Sequence, residues 1–266
     1  MYEHLIVAQS GDAITVTMNR PERLNALNRK LVEELRSFFV ELYWRRDVRV
    51  VVLRGAGANF CAGLDLKERS NASSRDVAAS LDSQRSISEI VMAMRRCPQP
   101  IISVVQGAAS GGGFALALAS DVRIATPTTR MNAAFIRFGL SACDIGVSYF
   151  LPRIVGSGAA SEFMLTGRFI DATRATQLGL VSRVLEGEAI DVEVHALVKD
   201  MLHATPLGLR LTKECLNMAI DAGGLEAAIA MEDRNQILCA QSEDFREGVT
   251  AFLEKREPVY TKPAQT

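Results

Sequence analysis

Neither charge is in excess in this chain: 30 Lys and Arg stand against 31 Asp and Glu, a formal net charge of −1. A nucleic-acid binder needs a basic face, so that class is set aside. No stretch reaches the roughly 18 uncharged apolar residues of a membrane-crossing helix, and the opening MYEHLIVAQSGD has neither the basic nor the apolar segment of a secretory leader. The expectation is a cytoplasmic protein without a membrane span. Cysteine is sparse, with residues 61, 97, 143, 215 and 239 scattered and no C-x-x-C pair, which argues for reduced thiols. Histidine is sparser still. His4, His195 and His203 have no ligand spacing, so no metal site is expected, and none is an evident base for a Ser-His-Asp triad built on Ser110. No repeat of fixed period and no low-complexity segment is found.

What is present in quantity is apolar matter, 48% of 266 residues, enough to give one compact domain a sizeable core. The chain is organised around Ile101 to Asp121, IISVVQGAASGGGFALALASD. Ile101 to Val105 is a β-branched run of buried-strand length. Phe114 to Ala119 is apolar or small on every side and suits a short helix buried all round. Between them Gly111, Gly112 and Gly113 allow close approach of the backbone, and a helix start leaves peptide N–H groups pointing outward, able to hold developing negative charge. Close helix–sheet packing is the competing explanation of the triplet.

Before this centre, alternating residues 13 to 18 predict a strand paired with Leu5 to Val7 across Gly11-Asp12. Asn28 is placed to cap a helix carrying Leu31, Leu35, Phe38 or Phe39 and Leu42, and Val48 to Leu53 reads as a buried strand. Phe60 to Lys67, FCAGLDLK, is a second strand-to-turn junction, followed by a polar stretch, Glu68 to Asp76, expected as a surface loop. Val77 to Met94 is one amphipathic helix, ended by Pro98 and Pro100. After the centre come a strand at Val122 to Ala125, a helix at Ala172 to Leu178 capped by Asp171, and a strand-like run from Leu180 to Leu185. Beyond about residue 188 three or four helices follow, punctuated by Thr205-Pro206, Gly223-Gly224 and Pro258. The class is α/β, divided into a core, 1–200, and a helical region, 201–266.

Several of these stretches together resemble the crotonase family of enoyl-CoA hydratases and isomerases. They are Asn19-Arg20-Pro21 with Leu24-Asn25-Ala26-Leu27, Phe60 to Lys67, Val105 to Asp121, Leu165-Thr166-Gly167-Arg168, Gly179-Leu180-Val181, and Glu254-Lys255-Arg256 with Pro258. The resemblance implies a crotonase-like spiral of ββα repeats with a C-terminal helical region, assembled as homotrimers or dimers of trimers. It implies an acyl-CoA substrate whose thioester oxygen is held by two backbone N–H groups while an enolate forms, without any cofactor beyond the coenzyme A of the substrate. Matched residue by residue, those N–H groups belong to Leu64 and Gly112. Coenzyme A would run along Arg23 and Leu24, with adenine near Ala62, Leu64 and Leu66. Arg23, Lys67 or Lys255, the last from a neighbouring subunit, would meet its phosphates. Solvated surface charge is the plainer reading of each lysine.

The pattern breaks at the proton carriers. Hydratases of this family place one carboxylate two residues after the glycine triplet and another four residues before a Gly-Leu pair. Here those positions, both at the acyl pocket, hold Ala115 and Phe135. Neither carries a proton, so two-carboxylate addition of water is not supported. Asp121 matches a structural Asp of the family. The remaining acid is Asp144, in Gly139-Leu-Ser-Ala-Cys-Asp-Ile-Gly146, a stretch resembling the dienoyl-CoA isomerase loop whose Asp transfers protons, though one residue longer. Asp144 is read either as that acid–base group or as the cap of a helix from Gly146 to Arg153. The implied function is an enoyl-CoA hydratase or isomerase of fatty-acid metabolism, with isomerisation better supported than hydration. The alternative is a non-catalytic acyl-CoA-binding homologue.

Overall fold

A computed structural model describes residues 2–71 and 76–261. In chain order the elements are β1 (Leu5–Ser10), β2 (Ala13–Met18), α1 (Arg29–Leu42), β3 (Val50–Gly55), α2 (Leu66–Asn71), α3 (Val77–Arg96), β4 (Ile101–Val105), β5 (Ala108–Ser110), α4 (Gly112–Ala119), β6 (Val122–Ala125) and β7 (Arg130–Asn132). Then follow α5 (Val147–Val155), α6 (Ser157–Thr166), β8 (Ile170–Asp171), α7 (Ala172–Gln177), β9 (Arg183–Val184), α8 (Glu188–His203), α9 (Pro206–Ala219), α10 (Leu225–Ala240) and α11 (Glu243–Glu254).

The opening hairpin forms as its alternation predicts, with β1 antiparallel to β2. From there the main sheet is parallel, in the order β1-β2-β3-β4-β6-β9. A second sheet, β5-β7-β8, stands beside it, and the isolated pairings Cys61 with Ala109 and Leu27 with Leu64 extend that layer backwards along the chain. Each turn of the chain therefore supplies a long strand to one layer, a short pairing to the other, and a helix. This is the expected crotonase spiral. Side chains alternate across the sheet: Val51, Leu53, Ile101 and Val105 point to the core shared with α1, α3 and α4, while Val50, Val52, Ile102 and Val104 meet Ile190 and Val194 of α8 on the opposite face.

Local signals hold where a side chain has a job the sequence can announce. The Asn28 side chain accepts from Leu31 N–H at 2.9 Å to start α1, and Asp171 accepts from Arg174 N–H at 2.8 Å to start α7. Three expectations change. The polar stretch after Lys67 is not all loop, since α2 runs through Leu66–Asn71, and the rest of it up to residue 75 lies outside the described residues. The run from Leu180 to Leu185 contributes only Arg183–Val184 as strand. The buried helix begins at Gly112, not Phe114, with all eight residues buried. Helix α8 runs through residue 200 to His203, and Ala204 and Thr205 join it to α9. No helix among the described residues is long and apolar enough to cross a membrane.

The four C-terminal helices are tied to the core by a buried lysine. The Lys213 ammonium on α9 donates to the carbonyls of Met94 (3.0 Å) and Gln99 (2.7 Å) and lies 2.9 Å from the Asp121 carboxylate. Asp121 also accepts from Ile101 N–H at 2.8 Å and pairs with Arg95 at 3.3 Å. It is a structural acid, as its family match implies.

Candidate active site

The site is built where residues 61–65 run between two partners. On one side Ala62 N–H donates to Leu24 O (3.0 Å), Leu27 N–H to Gly63 O (2.7 Å) and Asp65 N–H to Leu27 O (3.0 Å). On the other, Cys61 N–H donates to Ala108 O and Ser110 N–H to Cys61 O, each at 3.0 Å. In extended chain successive peptides face opposite ways. With the Gly63 carbonyl and Asp65 N–H committed to Leu27, the Leu64 N–H faces the side of β5 and the turn into α4. Gly112 is the first residue of α4, where a helix N–H has no partner of its own. Among the described residues, neither the Leu64 N–H nor the Gly112 N–H donates to any group.

Two glycines bring these peptides together. Gly63 has φ +95°, and a Cβ there would lie 2.7 Å from Ser110 O and 3.4 Å from Gly112 N. At Gly113 a Cβ would sit 2.0 Å from the Cys61 carbonyl oxygen, so the first turn of α4 can lie on this segment only without a side chain. Cys61 beneath it is fully buried, and burial pushes its thiol up to about 12.

The segment is clamped from below by Asn25 and Arg20 of the Asn19 to Leu27 stretch, whose support of the site no local sequence signal announces. Asn25, buried and at φ 55°, accepts from Arg20 N–H and donates to Ala56 O (2.9 Å) and Asn59 O (2.7 Å). The Arg20 guanidinium donates to Ala26 O and to Asp65 at 3.1 Å. Burial pushes the Asp65 carboxyl up, but the Arg20 hydrogen bond and the N–H groups of Glu68 and Lys67 outweigh it and hold it below its ordinary value.

Around this pair of N–H groups stand the other named positions. Ala115 is wholly buried in α4, its N–H on Gly111 O at 3.0 Å. The Phe135 ring lies against Gly111, with Cε1 3.4 Å from where a Cβ would be. Leu24, half exposed in a left-handed turn, joins Ala62 by hydrogen bond, with exposed Arg23 beside it. Leu66 and Lys67 open α2, exposed. Lys255 is not with them: it caps α11, in the C-terminal helices, which carry none of the other named positions.

Asp144 lies in the loop before α5, next to Ile145, whose Cδ1 is 3.6 Å from the Cβ position of Gly112. Its carboxylate accepts from Gln84 Nε2 at 2.6 Å and from Ile145 N–H at 2.9 Å. The helix beyond is Val147–Val155, and the contact to its first residue comes from the Asp144 main-chain carbonyl, which accepts from Val147 N–H. Gln84 escaped the sequence reading because a polar residue on the flank of an amphipathic helix gives no signal. Ile145 and Gly146 also border a cavity of about 860 Å³ between α3, α5 and α9. A second cavity, about 510 Å³, lies on the α8 side of the sheet and is lined by none of the candidate site residues.

Comparison with known proteins agrees with this architecture. A family model described as enoyl-CoA hydratase/isomerase matches residues 9–263. The "Probable enoyl-CoA hydratase EchA12" of Mycobacterium tuberculosis is 38% identical over 252 residues, covering 92% of this chain and 88% of that protein. The 1,2-epoxyphenylacetyl-CoA isomerase of Escherichia coli is 32% identical over 264 residues, covering 98% and 99%. Among solved structures, enoyl-CoA hydratase from Bacillus anthracis superposes with a TM-score of 0.92 at 30% identity, covering 98% of this chain and 100% of that one.

Proposed function

The chain belongs to the enoyl-CoA hydratase/isomerase family, and on that premise we propose that it isomerises an unsaturated acyl-CoA thioester through an enolate. The observation that carries this reading is the pair of uncommitted N–H groups of Leu64 and Gly112, on touching turns, with Ile145, the neighbour of Asp144, packed against Gly112. Loss of a carbon-bound proton sends its electron pair into the thioester and puts negative charge on the carbonyl oxygen. Two fixed donors stabilise that charge, each by roughly 3–4 kcal/mol. Asp144 takes the proton from one carbon and returns it to another, so the double bond moves and no water is consumed. Ala115 and Phe135 supply neither of the two carboxylates that water addition uses, and the Phe135 ring narrows the space beside Gly111. The name of the Escherichia coli relative, an isomerase, points the same way.

Coenzyme A lies along Arg23, Leu24, Ala62 and Leu66, with Lys67 at its phosphates. Lys255 reaches a phosphate only across a subunit boundary, in a homotrimer or dimer of trimers. The exposed apolar residues of α9 to α11, among them Leu216, Leu225 and Phe252, are what such an assembly would cover. A place in cytoplasmic fatty-acid metabolism completes the proposal.

The test is exchange at the acyl carbons of a saturated and an unsaturated acyl-CoA in D₂O, with products identified, for the protein and for Asp144→Asn. Exchange that needs Asp144, with a shifted double bond and no hydroxyacyl product, supports the reading. The replacements at Ala115 and Phe135 favour one other reading, an acyl-CoA-binding protein without catalysis. Tight binding of both esters with no exchange would establish it instead.

A further inference from the structure

We propose that Gln84 is a positioning residue for Asp144, an inference that rests on the isomerase reading above. Asp144 sits on a loop whose neighbours Phe138, Leu140 and Cys143 are exposed, a poor platform for a group that must meet carbon within a few tenths of an ångström. Gln84 is on α3, fixed by Ile87, Ile90, Val91 and Met94 in the core. Its amide stands 2.6 Å from Asp144 Oδ1. An ionised carboxylate only accepts, so the amide end facing it is the NH₂ group. The donor is neutral and orients the carboxylate through a hydrogen bond.

The turn itself is under tension that this contact helps to hold. Ile145 is a β-branched residue at φ 36°, a conformation such side chains avoid and that persists only where the surroundings enforce it. Here its N–H is spent on Asp144 Oδ1, its side chain is buried over Gly112, and Gly146 behind it packs against Phe150 and Val91. Two donors thus converge on one carboxylate oxygen, one from the rigid helix and one from the strained turn. Together they fix the orientation of the Asp144 carboxylate on the turn that packs Ile145 against Gly112.

Gln84→Leu keeps the length and removes the donor, and Gln84→Glu keeps the shape and replaces the donor by an acceptor. The expected result is an exchange kcat lowered about tenfold in Gln84→Leu and at least as far in Gln84→Glu. KM for the acyl-CoA should stay within about twofold, since uniform binding is untouched, and the thermal midpoint should be unchanged. The carboxyl ¹³C resonance of Asp144, assigned by its loss in Asp144→Asn, should move in both variants, which a packing role alone would not cause. Gln84 variants with wild-type exchange and an unmoved resonance, while Asp144→Asn is inactive, would overturn the inference and leave the isomerase reading standing. Full exchange in Asp144→Asn would overturn both.

Discussion

Replacing Gly113 by Ala tests stability and activity through a single atom. The new Cβ would stand 2.0 Å from the Cys61 carbonyl oxygen and 2.7 Å from the Cys61 Cβ. Such contacts are essentially never shorter than 3.0 Å, so the α4 start or the 61–65 segment must move by about 1 Å in a core with no slack. The obstacle is backbone and no side chain can swing away, so the cost should reach about 3 kcal/mol, the upper end for overpacking. The same shift separates the Leu64 and Gly112 N–H groups, and a misplacement of that size should lower kcat/KM about 100-fold. Denaturant unfolding gives the first quantity and acyl-CoA exchange in D₂O the second, measured under conditions where the variant is folded. Gly158→Ala is the control: Gly158 lies in α6 with nothing within 4 Å of its Cβ position, and the change should stabilise by about 0.5 kcal/mol through backbone entropy. A Gly113→Ala protein as stable and active as its parent would refute the claim that close contact between these two turns builds the site.

Lys213→Met should destabilise by about 3 kcal/mol, the low end for breaking a buried pair, because Asp121 keeps Ile101 N–H and Arg95. That lowers the thermal midpoint by roughly 6–12 °C and speeds amide exchange along α9, and a midpoint within about 2 °C of the parent's would contradict the anchoring role. Asp65 has a depressed folded-state pKa, so its contribution is present above the ordinary carboxylate range and is lost as pH falls through the folded value. Asp65→Asn should therefore flatten the acid limb of the stability profile below about pH 4, and identical acid limbs would count against the Arg20 clamp. With a thiol reagent at mildly alkaline pH, exposed Cys143 should react first. Buried Cys61, raised to about 12, and Cys97, also raised by burial, should react only on unfolding. Half-buried Cys215 and Cys239 fall between, and labelling of Cys61 or Cys97 in the folded protein, read by peptide mapping, would show that the core is more open than described.

Much of the fold was legible because burial and capping leave local marks. Runs such as Val50 to Leu53 and Ile101 to Val105 are apolar on both faces because helices cover both sides of a parallel sheet. Asn28 and Asp171 announce helix starts because their caps are local. Pairing is not local and leaves no such mark: Leu180 and Val181 are buried like strand residues, yet β9 pairs only through Arg183 and Val184. Helix α2 has no apolar stripe for periodicity to find. At the site, the resemblance put Leu64, Gly112 and Asp144 in view, but their supports are long-range. Arg20 meets Asp65 and Gln84 meets Asp144, contacts that span dozens of residues and carry no spacing rule.

The two explanations of the glycine triplet, close packing and a site for negative charge, divide between neighbouring residues. Gly113 belongs to packing, since its missing side chain is what lets α4 rest on the Cys61 carbonyl. Gly112 faces elsewhere: a Cβ there would meet first the side-chain ends Leu27 Cδ1 at 2.8 Å and Ile145 Cδ1 at 3.6 Å, with the Gly63 Cα behind them at 3.8 Å. Among the described residues nothing accepts from its N–H. The first property produces the second, because a helix start pressed onto the 61–65 segment must bring its own orphan N–H alongside that of Leu64. On the proposed reading, a reacting carbonyl oxygen would meet two donors already oriented by the packing of these turns. The packing term is thus the physical origin of the pre-organisation. Any change that relaxes the α4 contact should lower activity before it unfolds the protein.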